Sequence, residues 1–149
     1  RAGPLVCVGW SLGGTAAAGP ASNALRLGLY FVPVVCLAGA FDATDPISGQ
    51  PFESIELSSK GAGHVRLIHG VEDDITGVEG ARLFADRLKQ ARWDEELLER
   101  PVDHAGIVGT EFDADRTRCS PSQDPAVLDA LKTVTGIIAE TAFRRGPSA

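Results

Sequence analysis

Short apolar runs alternate along this chain with segments whose apolar residues recur every three to four positions. Leu5-Val6-Cys7-Val8 ends at Gly9 and suits a strand buried on both faces. Leu12 to Ala18 starts a helix of small residues, which Gly19-Pro20 is expected to stop or kink before Ala21 to Leu27 resumes it. Val32 to Ala40 reads as a second strand, and Val65 to Ile68 as a third, closed by His69-Gly70. Between them Asp42 to Gly63 is polar and rich in Gly, Ser and Pro, so it reads as a loop that could form a small lid. From about Gly77 to Ala91 the residues Val78, Ala81, Leu83, Phe84 and Leu88 fall near helical spacing. Glu96 to Glu99 makes a fourth, short strand, followed by a loop containing His104.

The last helix carries its own punctuation. Asp124 suits the N-cap and Pro125 the first helical position. Val127, Leu128, Leu131, Val134, Ile138 and Ala142 then recur at three- and four-residue steps. Strands alternating with helices predict an α/β fold: a mainly parallel sheet of about four strands, flanked by helices. No internal repeat or linker divides the 149 residues, so residues 1–149 read as one domain.

Composition narrows the function more than the fold. A hydrophobic share of 44% with 23% charged residues is ordinary for a globular domain. The net charge of −6 argues against a nucleic-acid partner, which calls for a basic face. No apolar run has the length of a membrane span; Leu27 to Phe41 is interrupted by Gly28, Pro33 and Gly39. The three cysteines show no paired spacing: Cys7 and Cys36 read as buried small hydrophobes, and Cys119 as a thiol in a polar loop. No metal-ligand spacing links Cys and His. Compartment and oligomeric state stay open, with a lean toward the cytoplasm.

The chemistry concentrates in Gly9-Trp10-Ser11-Leu12-Gly13-Gly14, between a strand and a helix. Gly-x-Ser-x-Gly in that setting is a nucleophile elbow, which holds a serine hydroxyl exposed on a sharp turn. Small residues two before and two after let neighbouring backbone approach. The following helix aims its N-terminus at the site, which makes Leu12 N–H a candidate oxyanion donor. A serine needs a base, and the base an orienting acid. Both must follow strands, because sites in parallel sheets form at the carboxyl ends. Asp73, after the third strand, suits the acid; Asp74 is its nearest rival and Asp42 a second. His104, after the fourth strand, suits the base and is the only histidine beyond the acid. His64 reads as a surface residue, and His69 as a brace for the loop at the strand end.

In order and context, these residues resemble the α/β-hydrolase superfamily. His69-Gly70-x-x-Asp73-Asp74 looks like the acid loop of its esterase and prolyl-oligopeptidase-like branches. The resemblance spans Leu5 to the final helix and implies a serine hydrolase acting on carboxylic esters through an acyl-enzyme, with Ser11, Asp73 and His104 as triad. It implies a small-molecule ester or acyl substrate and no cofactor or metal. Alternatives are a prolyl-oligopeptidase-like peptidase and a non-catalytic, hydrolase-like binding domain. By the same analogy the four strands correspond to the fifth to eighth of the family's sheet. Only ten residues precede Ser11, too few for the earlier strands and the loop with the second oxyanion donor. The resemblance therefore implies the C-terminal portion of a domain, a fragment or one half of a split protein, weakly active or inactive alone.

Overall fold

The computed structural model describes residues 5–22, 32–46, 48–57 and 63–143. Strands β1 (Cys7–Trp10), β2 (Val34–Leu37), β3 (His64–Gly70) and β4 (Asp94–Arg100) form one sheet in sequence order, each parallel to the next. Helix α1 (Leu12–Ser22) follows β1, α2 (Val78–Gln90) lies between β3 and β4, and α3 (Pro125–Phe143) closes the described chain. The expected α/β architecture is thus present.

Alternation of side chains along the strands divides the interior into two layers. Val34, Cys36, Val65 and Leu67 point to one face, under Ala18 of α1 and Ala81, Phe84, Ala85 and Leu88 of α2. There Phe41, Phe52 and Phe84 stack with ring centroids 4.6–5.3 Å apart. Val35, Leu37 and Ile68 point to the other face, under Ala130 and Val134 of α3. Because both faces are covered, β2 and β3 are buried at every residue. His64 is buried with them, 3% exposed, and its Nδ1 lies 2.6 Å from the Asp94 carboxylate. The expected surface position for His64 is therefore wrong, since a strand inside a covered sheet has no solvent face.

Other departures have local causes. The first strand is not buried on both faces: Val8 is 43% exposed. Helix α3 packs over Val35 and Leu37 and leaves Val8 uncovered. Strand β2 is shorter than the apolar run Val32 to Ala40, because the positive φ of Ala38 (46°) turns the chain out of the extended conformation. Helix α1 runs through Gly19-Pro20 to Ser22; the bond that Pro20 cannot donate is lost without ending it. The rest of the expected resumption, residues 23–27, lies outside the described residues. Leu83 and Leu128, placed on the apolar stripes by spacing, are exposed, and Ala85 and Ala130 are buried in the helix–sheet contacts instead.

The segment read as a loop around Cys119 is an antiparallel hairpin, β5 (Thr110–Asp113) and β6 (Arg118–Pro121), with Phe112 opposite Cys119. Its turn is held by Arg116 N–H donating to the Asp113 carboxylate at 3.1 Å and by the positive φ of Thr117. At the start of α3, Asp124 caps as expected, accepting from Ala126 N–H at 2.7 Å. No helix of the described residues is long and apolar enough to cross a membrane.

Phe84, 2% exposed, and Leu83, 66% exposed, test this layering. Phe84→Ala should lower unfolding free energy by about 3–5 kcal/mol. Leu83→Ala should change it by less than ~0.5 kcal/mol, both read from urea titration.

Candidate active site

Only Ser11 separates the end of β1 from the start of α1. Its φ is +58°, the left-handed region that costs a non-glycine residue about 1–3 kcal/mol. Surrounding backbone holds it there. Ser11 N–H donates to Leu37 C=O at 2.9 Å, and Ser11 C=O accepts from Gly14 N–H at 2.9 Å and Ala40 N–H at 3.3 Å. A Cβ on Gly9 would lie 1.9 Å from Gly13 O, so residue 9 must be glycine for this turn to close. Gly13 itself faces open space; the second tight position is Gly14, whose added Cβ would lie 3.1 Å from Gly39 Cα. The steric need expected at Gly13 thus belongs to Gly14. Leu12 opens α1, in the first turn, where N–H groups have no intrahelical acceptor.

Asp73 and His104 meet just beyond the ends of β3 and β4. Val71 N–H donates to Arg100 C=O at 2.8 Å and Glu72 N–H to Val102 C=O at 3.2 Å, so the two loops leave the sheet joined. His104 Nδ1 lies 2.7 Å from Asp73 Oδ2. The Asp73 side chain is fully buried, whereas Asp74 and Asp42 are exposed. Oδ1 of Asp73 accepts from Ile75 N–H at 2.9 Å and Thr76 N–H at 3.0 Å; Oδ2 also accepts from the Thr76 hydroxyl at 2.9 Å. Burial pushes this carboxyl upward, but the bonds from Thr76 N–H, His104, Ile75 N–H and the Thr76 hydroxyl outweigh it and hold its pKa below the ordinary value. It is therefore ionised at neutral pH.

Trp10 brings His104 to the Ser11 turn. Its indole N–H donates to His104 C=O at 3.1 Å, and the two rings lie 5.2 Å apart, tilted by 35°. Since Trp10 directly precedes Ser11, the histidine sits on the rim that carries the serine. The bonds that Ser11 makes among the described residues are those of its backbone. His69 is buried beneath Asp73, its Nε2 3.3 Å from Asp73 Oδ2. Burial lowers its pKa, more than the neighbouring Asp73 raises it.

Two contributors escape a reading of the chain alone. Thr76 touches Asp73, His104 Nδ1 (3.2 Å) and Ala38 C=O (3.1 Å) at once. Its only sequence signal is a threonine just before α2, a common place for a capping residue. The β5–β6 hairpin supplies Phe112 and Cys119 to a cleft of about 500 Å³ beside His104. Its signal, a four-residue run with one aromatic, is too weak to separate from a loop. Among the described residues, no group of three or more His, Cys, Asp or Glu could hold a metal ion.

No protein-family profile matches the chain, and no curated protein matches it. Solved structures do. Thermogutta terrifontis esterase 2, phosphorylated by paraoxon, superposes with a TM-score of 0.59 at 18% identity, over 95% of this chain and 55% of that one. Esterase PE8 gives 0.50 at 23% identity, over 91% and 49%. Porphyromonas gingivalis dipeptidyl peptidase 4 gives 0.53 at 18% identity, over 67% and 16%. The likeness establishes the fold alone: a parallel α/β sheet flanked by helices, as in part of each of these proteins. The chain spans about half the length of the esterases it matches.

Gly9→Ala should destabilise the protein by several kcal/mol, whereas Gly13→Ala should cost nothing or gain up to ~1 kcal/mol from helix propensity, as urea titration would show. Stability should also fall on acidification in two steps. His69 keeps a folded pKa below its ordinary 6.5, so the unfolded chain takes the proton first and stability declines as pH drops below about 6.5. Asp73 stabilises the fold above its ordinary 3.8, and that contribution is lost as pH falls through its lower folded value. In His69→Gln the upper step should flatten; an unchanged slope between about pH 5 and 7 would assign it elsewhere.

Proposed function

We propose that this chain carries the catalytic triad of a serine hydrolase that cleaves carboxylic esters. The observation that supports it best is the 2.7 Å bond between buried Asp73 and His104, with His104 held by Trp10 next to the Ser11 turn. His104 removes the Ser11 proton as the hydroxyl attacks the ester carbonyl. The tetrahedral oxyanion forms at the N-terminus of α1, where Leu12 N–H donates to it. Asp73 holds the histidine tautomer and favours the imidazolium. His104 then protonates the leaving alcohol, and water activated by the same ring releases the acid from Ser11.

The chain is read as the C-terminal portion of its domain, consistent with spanning half the length of similar esterases. The second oxyanion donor then comes from preceding sequence or a partner half. Its lack costs about 10²–10³ in rate. A peptidase is the second reading, favoured by the likeness to Porphyromonas gingivalis dipeptidyl peptidase 4. Paired hydrolysis of an ester and the matching aminoacyl amide separates the two.

A fluorophosphonate probe should label the protein at Ser11, and Ser11→Ala should abolish the adduct by intact mass. Asp73→Asn should slow labelling by about 10³–10⁴, as loss of the orienting acid does in triads, while Asp74→Asn stays within about threefold. A larger loss in Asp74→Asn would transfer the acid role to Asp74.

A further inference from the structure

The hairpin between the His104 loop and α3 stands where the proposed reaction needs a wall. Both its ends are tied to the residues that follow His104. The Thr110 N–H and hydroxyl donate to Ala105 C=O at 3.2 and 3.0 Å, and Ser122 N–H donates to Gly109 C=O at 3.1 Å. Gly109, at φ +79°, packs where a Cβ would lie 2.7 Å from the Leu131 side chain, which fixes the hairpin's root against α3. The cross-strand pair Phe112 and Cys119 lines the cleft from this side. Trp10 and Ile75 line it from the nucleophile turn and the acid loop.

Three of these side chains are large, apolar and uncovered: Ile75 is 69% exposed, Phe112 57% and Trp10 38%. Apolar residues gathered around one concavity beside a reactive group are what an apolar ligand group would cover. The cleft's volume of about 500 Å³ falls within the ~300–1,000 Å³ usual for small-molecule sites. Its carboxylate lining residues are Asp74 and Asp103, and among the described residues no Lys or Arg lines it. Asp103 accepts the Gly106 N–H at 2.6 Å, and among the described residues no cation pairs with it. An anionic group entering here meets two carboxylates, and a neutral or cationic one does not.

We propose that the β5–β6 hairpin is the specificity wall of this site, and that the cleft receives an apolar substrate group that is neutral or cationic and rejects an anionic one. The assignment of a substrate rests on the serine-hydrolase reading; the cleft's binding preference does not. Cys119 provides a readout free of that chemistry, because it is the exposed thiol of the cleft while Cys36 is buried and Cys7 half-buried.

In the Ser11→Ala chain, iodoacetamide alkylation of Cys119 is followed by mass spectrometry with n-hexanol, hexyltrimethylammonium or hexanoate present. The first two should slow it at least about threefold at concentrations above their Kd, and hexanoate by less than ~1.5-fold at low salt. Phe112→Ala should remove the protection. Protection by none of the three, or equal protection by hexanoate, overturns the proposal. A second arm compares hexyl- and methyl-fluorophosphonate labelling of Ser11. Phe112→Ala should slow the hexyl probe about tenfold and leave the methyl probe unchanged; equal effects on both overturn the wall. If Cys119 is protected as expected while Ser11 takes no probe even in protein that includes the second oxyanion donor, the cleft assignment stands and the hydrolase reading falls.

Discussion

A parallel sheet ends all its strands at one rim, and the register of β3 against β4 decides what meets there. Seven residue pairs, from His64 opposite Asp94 to Gly70 opposite Arg100, bring the two strand ends level. The pairing then continues one step into the loops, through Val71 to Arg100 and Glu72 to Val102. Gly70 makes that step possible, since a Cβ there would lie 2.1 Å from Val102 O. A one-residue slip of β4 would turn its side chains to opposite faces and separate Asp73 from His104. The candidate site is thus a consequence of sheet register, with no long side chain reaching across to create it.

That geometry also settles which nitrogen of His104 carries a proton. A carboxylate with a depressed pKa accepts hydrogen bonds and cannot donate. The 2.7 Å contact to Asp73 therefore requires the hydrogen on Nδ1, which leaves Nε2 of the neutral ring as the acceptor. Thr76 supports the same assignment. Its single hydroxyl proton goes to Asp73 or to Ala38 C=O, and its oxygen faces Nδ1 at 3.2 Å as an acceptor. A buried charge is costly unless hydrogen-bonded throughout. Two backbone N–H groups, a hydroxyl and an imidazole supply that compensation here.

The alternation of elements, the parallel sheet it implies and the candidate nucleophile turn were legible in the sequence because each rests on local pattern. An apolar run before Gly9, a threefold-to-fourfold period in α2 and the Asp124-Pro125 start of α3 are short-range signals. What could not be read depends on the packing of distant segments. Whether Val8 is covered depends on how far α3 reaches across the sheet. Leu83 and Ala85 lie two residues apart on one helix, and only the position of α2 over Val65 and Leu67 decides which is buried. Thr76 became part of the site because Ala38, from another strand end, lies beside it. The sequence points to Asp73 before Asp74 with no local feature to separate them; in the fold Asp73 is buried against His104 and Asp74 is exposed.

A short His–carboxylate contact does not by itself mark a site, and the opposite end of the same two strands shows why. His64 Nδ1 lies 2.6 Å from Asp94, as close as His104 to Asp73. There the imidazole is only 3% exposed and the carboxylate 60%. Arg66 shares Asp94 at 3.5 Å and reaches Glu96 at 3.1 Å, which makes a charged network along the start of β4. At His104 the burial is reversed: the carboxylate is fully covered and the imidazole 13% exposed, against a cleft. A base must offer one ring nitrogen to a reactant while its orienting acid is shielded from water, where the interaction is strongest. Of these two His–carboxylate pairs, the one at the carboxyl ends of the strands meets that condition, so the proposed chemistry falls at that end by exposure and not by distance.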